Sequence, residues 1–260
     1  MDAKKLSQER FTKYAASYTA GWSHAGGPDL ARLVKLVGDK PRWEALDIAT
    51  GAGHTALAVA PRVARVVATD VTEAMLAAAR DFLGSQGVRN VDFEPADAEE
   101  LPFLAASFDL VTCRIAAHHF PHPERFVSEV ARVLRPGGLF LLQDLVVPDG
   151  AAATYITDFE RRRDPSHQRG LSEKEWESLL LAASLVIETT DRFEKQVVLE
   201  KWVSAQGGTS EDLVDLRSRI SQAPAAVREW MCPSDTDSPQ AAFIIHHCLF
   251  GARKPGKSAL

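Results

Sequence analysis

Two kinds of residue in this chain have the types and spacing to do chemistry. The first are carboxylates set against glycines. Asp47 leads through Ile48-Ala49-Thr50 into Gly51-Ala52-Gly53, and Asp70 and Asp97 follow at the ends of later apolar stretches. Gly51 and Gly53 carry no side chain, so the backbone turns sharply and a ligand comes close to it. A helix opening just after such a turn presents unpaired N–H groups. Asp70 is placed to accept hydrogen bonds from a ribose diol. Gly51-Ala52-Gly53-His54-Thr55-Ala56 also fits the G-x-G-x-x-A dinucleotide fingerprint, with Asp70 at about the right distance. A nicotinamide-dependent oxidoreductase is therefore one reading of the loop. Asp47 argues against it, because a carboxylate is repelled by a pyrophosphate and attracted by a cationic ligand.

The second kind are histidines, in Ala117-His118-His119-Phe120-Pro121-His122-Pro123. Imidazole titrates near neutrality, which suits proton abstraction, and a positioned general base contributes roughly 10²–10⁴-fold to a rate. His118 and His119 are the candidate catalytic residues, with packing around a ligand as their other role. His118 and His122 at i, i+4 would suit a metal ion on a helix. Pro121 and Pro123 interrupt a helix there, and no cysteine is adjacent, so no metal site is expected. His246-His247-Cys248 alternate across a strand and read as packing. Asp144 either orients a substrate or satisfies a buried backbone group. Arg161-Arg162-Arg163, between Glu160 and Asp164, reads as a solvated helix face.

These residues need a scaffold, and the apolar spacing supplies one. Helical periodicity runs over 6–20 and 29–37. Strands are expected at 45–49, 65–70, 91–94, 108–113 and 139–147, with helices opening after 51 and spanning 72–83 and 124–134. Pro136-Gly137-Gly138 reads as a tight turn. Beyond Pro148 the pattern predicts helices at 151–163, 172–183 and 210–231, and strands at 185–199 and 242–250. Strand and helix units in alternation argue for an α/β, doubly wound, mostly parallel seven-stranded sheet with helices on both faces. The chemistry falls at the carboxyl ends of its first strands, where open α/β sheets bind ligands. The whole chain, 1–260, reads as one domain. Residues 1–28 form an N-terminal lid, and 151–232 a helical cap insertion over the substrate.

Composition narrows the class of partner. A formal net charge of −5 gives no electrostatic footprint for nucleic acid. Three cysteines at wide spacing make no disulfide framework and suit a reducing, cytoplasmic compartment. The polar start, Met1-Asp2-Ala3-Lys4-Lys5, is not a signal core, and no apolar run reaches the length of a membrane span.

Several of these segments, in order, resemble one family. Asp47-Ile-Ala-Thr-Gly-Ala-Gly is similar to the acidic-x-Gly-x-Gly-x-Gly motif of the class I S-adenosylmethionine-dependent methyltransferases, with Ala49 in place of the first glycine. Ala96–Phe103, Ser107–Val111 and Arg132–Gly138 resemble later motifs of the branch that includes the ubiquinone/menaquinone C-methyltransferases. The resemblance covers roughly residues 8–147. It implies S-adenosylmethionine as cofactor and S-adenosylhomocysteine as product. It implies a binding set of Tyr14, Tyr18, Asp47, Ala49, Thr50, Gly51, Gly53, Asp70, Val71, Met75, Asp97, Ala98, Arg114, Ala116 and His119. Within this set Asp70 holds the ribose, Met75 packs on the adenine, Asp97 and Ala98 meet its edge, and Tyr14 and Tyr18 close over the methionine end. No Asn/Asp-Pro-Pro-aromatic or Pro-Cys motif follows the fourth strand, so the expected acceptor is a small molecule, methylated on carbon, oxygen or nitrogen. A cofactor-binding protein of this fold without transferase activity is the remaining alternative.

Overall fold

The computed structural model describes residues 3–19 and 26–256, with side chains from 16 to 19 left undescribed. Seven strands form one sheet: β1 (Lys40–Ile48), β2 (Val63–Asp70), β3 (Val91–Pro95), β4 (Phe108–Arg114), β5 (Leu134–Leu145), β6 (Val186–Val198) and β7 (Ala242–Arg253). Their order is β3-β2-β1-β4-β5-β7-β6. β1 through β5 are parallel, and β7 runs antiparallel to both its neighbours. Strand order reverses between β1 and β4, which opens a crevice at their carboxyl ends.

Alternation along the strands sends successive residues to opposite faces. Ala45, Leu110, Leu141 and Leu249 pack under α2 (Pro28–Val37), α3 (His54–Val59) and α4 (Glu73–Ser85). Leu46, Val111, Leu142 and Phe250 pack on the other face, under α5 (Pro123–Val133) and α7 (Glu173–Ala182). Burying a side chain of this kind stabilises the fold by roughly 1.5–3 kcal/mol, so the two layers hold the strand ends in place. Ser172 caps α7 in a reciprocal pair with Glu175, matching its sequence signature.

A third apolar cluster joins the ends of β5 and β7 to α6 (Ala151–Arg163), α8 (Leu199–Ser204), α9 (Ser210–Ser221) and α10 (Ala225–Met231). Residues 151–232 are thus split. α7 and β6 belong to the sheet layers, while α6 and α8–α10 build the separate cluster.

Local expectations shift in two places. Pro136-Gly137-Gly138 lies inside β5, where the register against β4 slips between Phe108 and Leu110. Gly137 takes φ +81, and a Cβ at Gly138 would stand 2.9 Å from the Arg135 carbonyl oxygen. The turn signal becomes a bulge because the chain continues forward into the ladder. The single helix expected over 210–231 is two, α9 and α10, parted at Ala223-Pro224. Proline has no N–H for an interior helical bond, and it stands just ahead of α10. No described helix is long and apolar enough to cross a membrane.

Candidate active site

The crevice holds a cavity of about 1090 Å³ at the carboxyl ends of β1, β2 and β4. Its floor is the loop after β1. Ala49 takes φ +53 and Gly51 φ +55, backbone that L side chains avoid. Gly51 lines the cavity, and a Cβ added to it meets nothing within 4 Å. The loop is pinned from both sides. Thr50 N–H donates to the Thr69 carbonyl (2.8 Å), and Gly51 N–H donates to Asp70 Oδ2 (3.0 Å). Asp70 Oδ1 accepts from Thr72 N–H (2.9 Å). Burial pushes the Asp70 carboxyl up from its ordinary value, against the pull of these backbone donors.

Asp47 lies beneath this loop and does not line the cavity. It is 2% exposed. Its two oxygens accept from the Thr50 and Thr112 hydroxyls, at 2.7 and 2.6 Å. Burial raises its carboxyl to about 6, opposed by those two hydroxyls. Asp47, expected from sequence to be a binding residue, supports the loop from beneath. The reason is strand geometry, which buries Asp47 between β4 and the loop. Gly53 also misses the cavity wall: a Cβ there would stand 2.5 Å from Leu83 Cδ1, so this glycine lets α3 pack on α4.

Ala49, Thr50, Asp70, Val71, Met75, Asp97, Ala98, Arg114, Ala116 and His119 do line the cavity together. Arg114 Nε and Nη2 both donate to Asp29 Oδ2, at 3.0 and 2.6 Å, which ties the end of β4 to the first turn of α2. The roof is α1 (Ala3–Thr19), which presents Lys4, Ser7 and Phe11. Lys4 Nζ reaches Asp97 and Glu99 at 2.5 and 2.6 Å, and Gln8 donates to the Val71 carbonyl at 2.9 Å. None of these roof residues was in the expected set, although Lys4, Ser7 and Phe11 follow the spacing of one helical face. The expected Tyr14 points elsewhere, with its hydroxyl end against Gly207. The side chain of Tyr18 lies outside the described residues.

A second cavity, of about 680 Å³, adjoins the first. Phe11, Ile115 and His119 line both. Ile115 holds φ +54, an outlier for a β-branched residue, where the two cavities meet. His118 and His119 sit in a 3-10 turn after β4. His118 Nδ1 stands 2.7 Å from Asp144 Oδ1, and Asp144 also accepts from the N–H groups of His118 and Leu145. Burial pulls the His118 imidazole down, but the Asp144 charge and hydrogen bond outweigh it and the net shift is upward. Burial and the neighbouring His118 push His119 down to about 4. Asp144 thus satisfies buried backbone donors, one of the two roles expected for it, and holds the His118 ring as well.

The far wall of the second cavity includes Glu160, Arg163, Lys195, Trp202 and His247. Glu160 is 4% exposed, and the Arg163 side chain packs over the Trp202 ring at 4.2 Å. Of the run 161–163 read as a solvated face, Arg161 and Arg162 are exposed, while Arg163 turns inward with its flanking residues Glu160 and Asp164. His247 is buried on that wall, and His246 Nε2 meets the Trp230 carbonyl at 2.7 Å. No metal-ligating cluster occurs among the described residues.

The first cavity suits a nucleoside bearing a charged tail. Asp70 keeps lone pairs beyond those its backbone donors use. The Ser7 hydroxyl is 6% exposed with no hydrogen-bond partner. Gly51 leaves room for close approach.

Known proteins agree with this architecture. Residues 46–142 match the model of the methyltransferase domain family. A Bacillus subtilis protein named as an uncharacterized methyltransferase, YcgJ, is 35% identical over 85% of this chain and 88% of its own length. The crystal structure described as that of a putative methyltransferase from Bacillus halodurans superposes with a TM-score of 0.84 at 38% identity, covering 88% of this chain and all of that one. The ubiquinone/menaquinone biosynthesis C-methyltransferase UbiE of Brucella anthropi is 40% identical over 106 residues, 39% of this chain and 40% of that protein. The fold and crevice define a Rossmann-like transferase. The chain belongs to the S-adenosylmethionine-dependent methyltransferases and is an enzyme of that class. The dinucleotide reading of the glycine loop is set aside by this membership.

Proposed function

We propose that the protein transfers the methyl group of S-adenosylmethionine to a small molecule held in the second cavity. The observation that carries this reading is the junction: Phe11, Ile115 and His119 face both cavities. Methyl transfer is an in-line displacement, so donor and acceptor must meet through one opening. Holding them aligned is worth ~7–11 kcal/mol of the barrier.

The bound cofactor supplies an electrophilic methyl on a sulfonium. Asp70 accepts from the ribose hydroxyls, Met75 packs on the adenine, and Asp97 and Ala98 meet its edge. Ala49, Thr50 and Gly51 give backbone to the methionine end, with Asp47 acting on them from below. Lys4, Ser7 and Phe11 exclude water from above. On the acceptor side, His119 at the junction accepts a proton where the acceptor has one to lose, and the His118–Asp144 pair braces it. The polar lining around Lys195 and Arg163, beside Trp202, suits an acceptor with both a polar group and an apolar or aromatic body.

The test is incubation with deuteromethyl-labelled S-adenosylmethionine and a metabolite extract, followed by mass spectrometry for labelled products. Labelled small molecules that vanish without enzyme support the reading. Tight binding of S-adenosylhomocysteine with no label transferred across a broad acceptor panel would favour a cofactor-binding protein instead.

A further inference from the structure

The loop between α6 and α7 makes contacts that the methyl-transfer reading does not use. His119 Nδ1 faces two oxygens of Ser166, the carbonyl at 3.2 Å and the hydroxyl at 3.3 Å. The Ser166 hydroxyl has its own acceptor, since it donates to Asp164 Oδ1. The Ser166 N–H donates to the same carboxylate oxygen at 3.0 Å. Both Ser166 oxygens therefore turn lone pairs toward the ring. A ring nitrogen in that position must carry the proton, because an unprotonated Nδ1 would set lone pair against lone pair. Asp164 is held in turn from the roof helix: Arg10 Nε stands 2.9 Å from Asp164 Oδ1, and Arg10 Nη2 donates to Gln206 Oε1 at 2.8 Å.

The geometry points to Asp164 and Ser166 as positioning residues that lock His119 in the Nδ1–H tautomer, leaving the Nε2 lone pair as the ring's acceptor at the junction of the two cavities. The lock runs Arg10, Asp164, Ser166, His119, so the helix that roofs the cofactor cavity also sets the imidazole on the acceptor side. It rests on the methyl-transfer reading only for what the lone pair is used for. The tautomer itself follows from the hydrogen bonds. Burial and the neighbouring His118 keep the ring neutral at pH 7.5, its value being near 4, so a tautomer is there to be measured.

The test is nitrogen NMR on histidine-labelled full-length protein with S-adenosylhomocysteine at pH 7.5, the His119 signals being assigned by their loss in His119→Gln. The native ring is expected to show a protonated Nδ1 and an unprotonated Nε2. The reverse tautomer, or a doubly protonated ring, overturns the proposal without any variant. Asp164→Ala removes the acceptor of the Ser166 hydroxyl, which then turns to donate to Nδ1. A substantial population of the Nε2–H form is expected. Asp164→Ala combined with Ser166→Ala has no hydroxyl to turn, and the Nδ1–H form is expected to return. A merely structural role for Asp164 predicts the same spectrum for both variants, and that result would overturn the lock. Should the alanine variants not fold, Asp164→Asn keeps an acceptor oxygen and is expected to retain the native tautomer; its loss there counts against the proposal. Failure of methyl transfer would show separately, as no labelled product beside an intact Nδ1–H signal.

Discussion

The two cavities share a wall and are built in opposite ways. The first cavity is made mostly of short contiguous stretches, 49–52, 70–72, 96–99 and 114–116, each at the carboxyl end of a strand or just beyond it. The second cavity gathers single side chains from α1, the turn after β4, β5, α6, β6, α8 and β7, spread from Phe11 to His247. One is shaped by backbone, the other by side chains. Backbone shape holds a fixed ligand and tolerates change around it. A wall of separate side chains is re-tuned residue by residue. This is the arrangement expected of an enzyme with an invariant donor and a particular acceptor.

The largest effect should come from the second cavity. Asp144→Ala strips the partner from a buried imidazole and two backbone donors. Unfolding in urea should show a loss of ~3–5 kcal/mol, the cost of breaking a buried pair. Affinity for S-adenosylhomocysteine in the surviving folded protein should change little; a parallel collapse would mean the two walls are not independent. Asp70→Ala should do the reverse. Calorimetry should show S-adenosylhomocysteine binding weakened by ~1–3 kcal/mol, and unchanged affinity would remove Asp70 from the ribose role.

Ala49→Gly sharpens the backbone side of the comparison. Ala49 holds a left-handed conformation at φ +53, which costs an L residue roughly 1–2 kcal/mol. Glycine relieves this but loses more freedom on folding. A net gain of at most ~1 kcal/mol in urea is expected, and destabilisation would contradict the strain. A pH dependence arises beneath the same loop. Burial, opposed by the Thr112 and Thr50 hydroxyls, raises folded Asp47 from 3.8 to about 6, so the folded state binds this proton more tightly than the unfolded one. Its contribution is fully present below about pH 3.8 and is lost as pH rises through about 6. The stability of the ligand-free protein, measured relative to Asp47→Asn, should therefore fall across that window and level off above it. A rising difference would reverse the assignment.

Much of the cofactor side was legible in the residue string. Glycines beside a buried strand, and aspartates at strand ends, mark local backbone geometry, and local geometry is written in neighbouring residues. Eleven members of the expected set line one cavity for that reason. Asp47 and Gly53 belong to the same segment but lie off the cavity wall. Strand facing and helix packing, which decide the contact, depend on what lies across the sheet. The roof was misjudged for the same cause. Tyr14 drew notice by residue type, while Lys4, Ser7 and Phe11 gained their place from how α1 docks.

The class of fold was readable from the residue string, and the family resemblance pointed to the methyl donor. Apolar periodicity and ordered motifs are short-range patterns, and the sheet order follows from them with few options. Only the tertiary structure decided where the second cavity lies and how its histidines are held. His118 meets Asp144, and His119 meets Ser166, across 26 and 47 residues of chain. No periodicity encodes such pairings; they exist because buried polar groups must find partners once the helices close over the sheet.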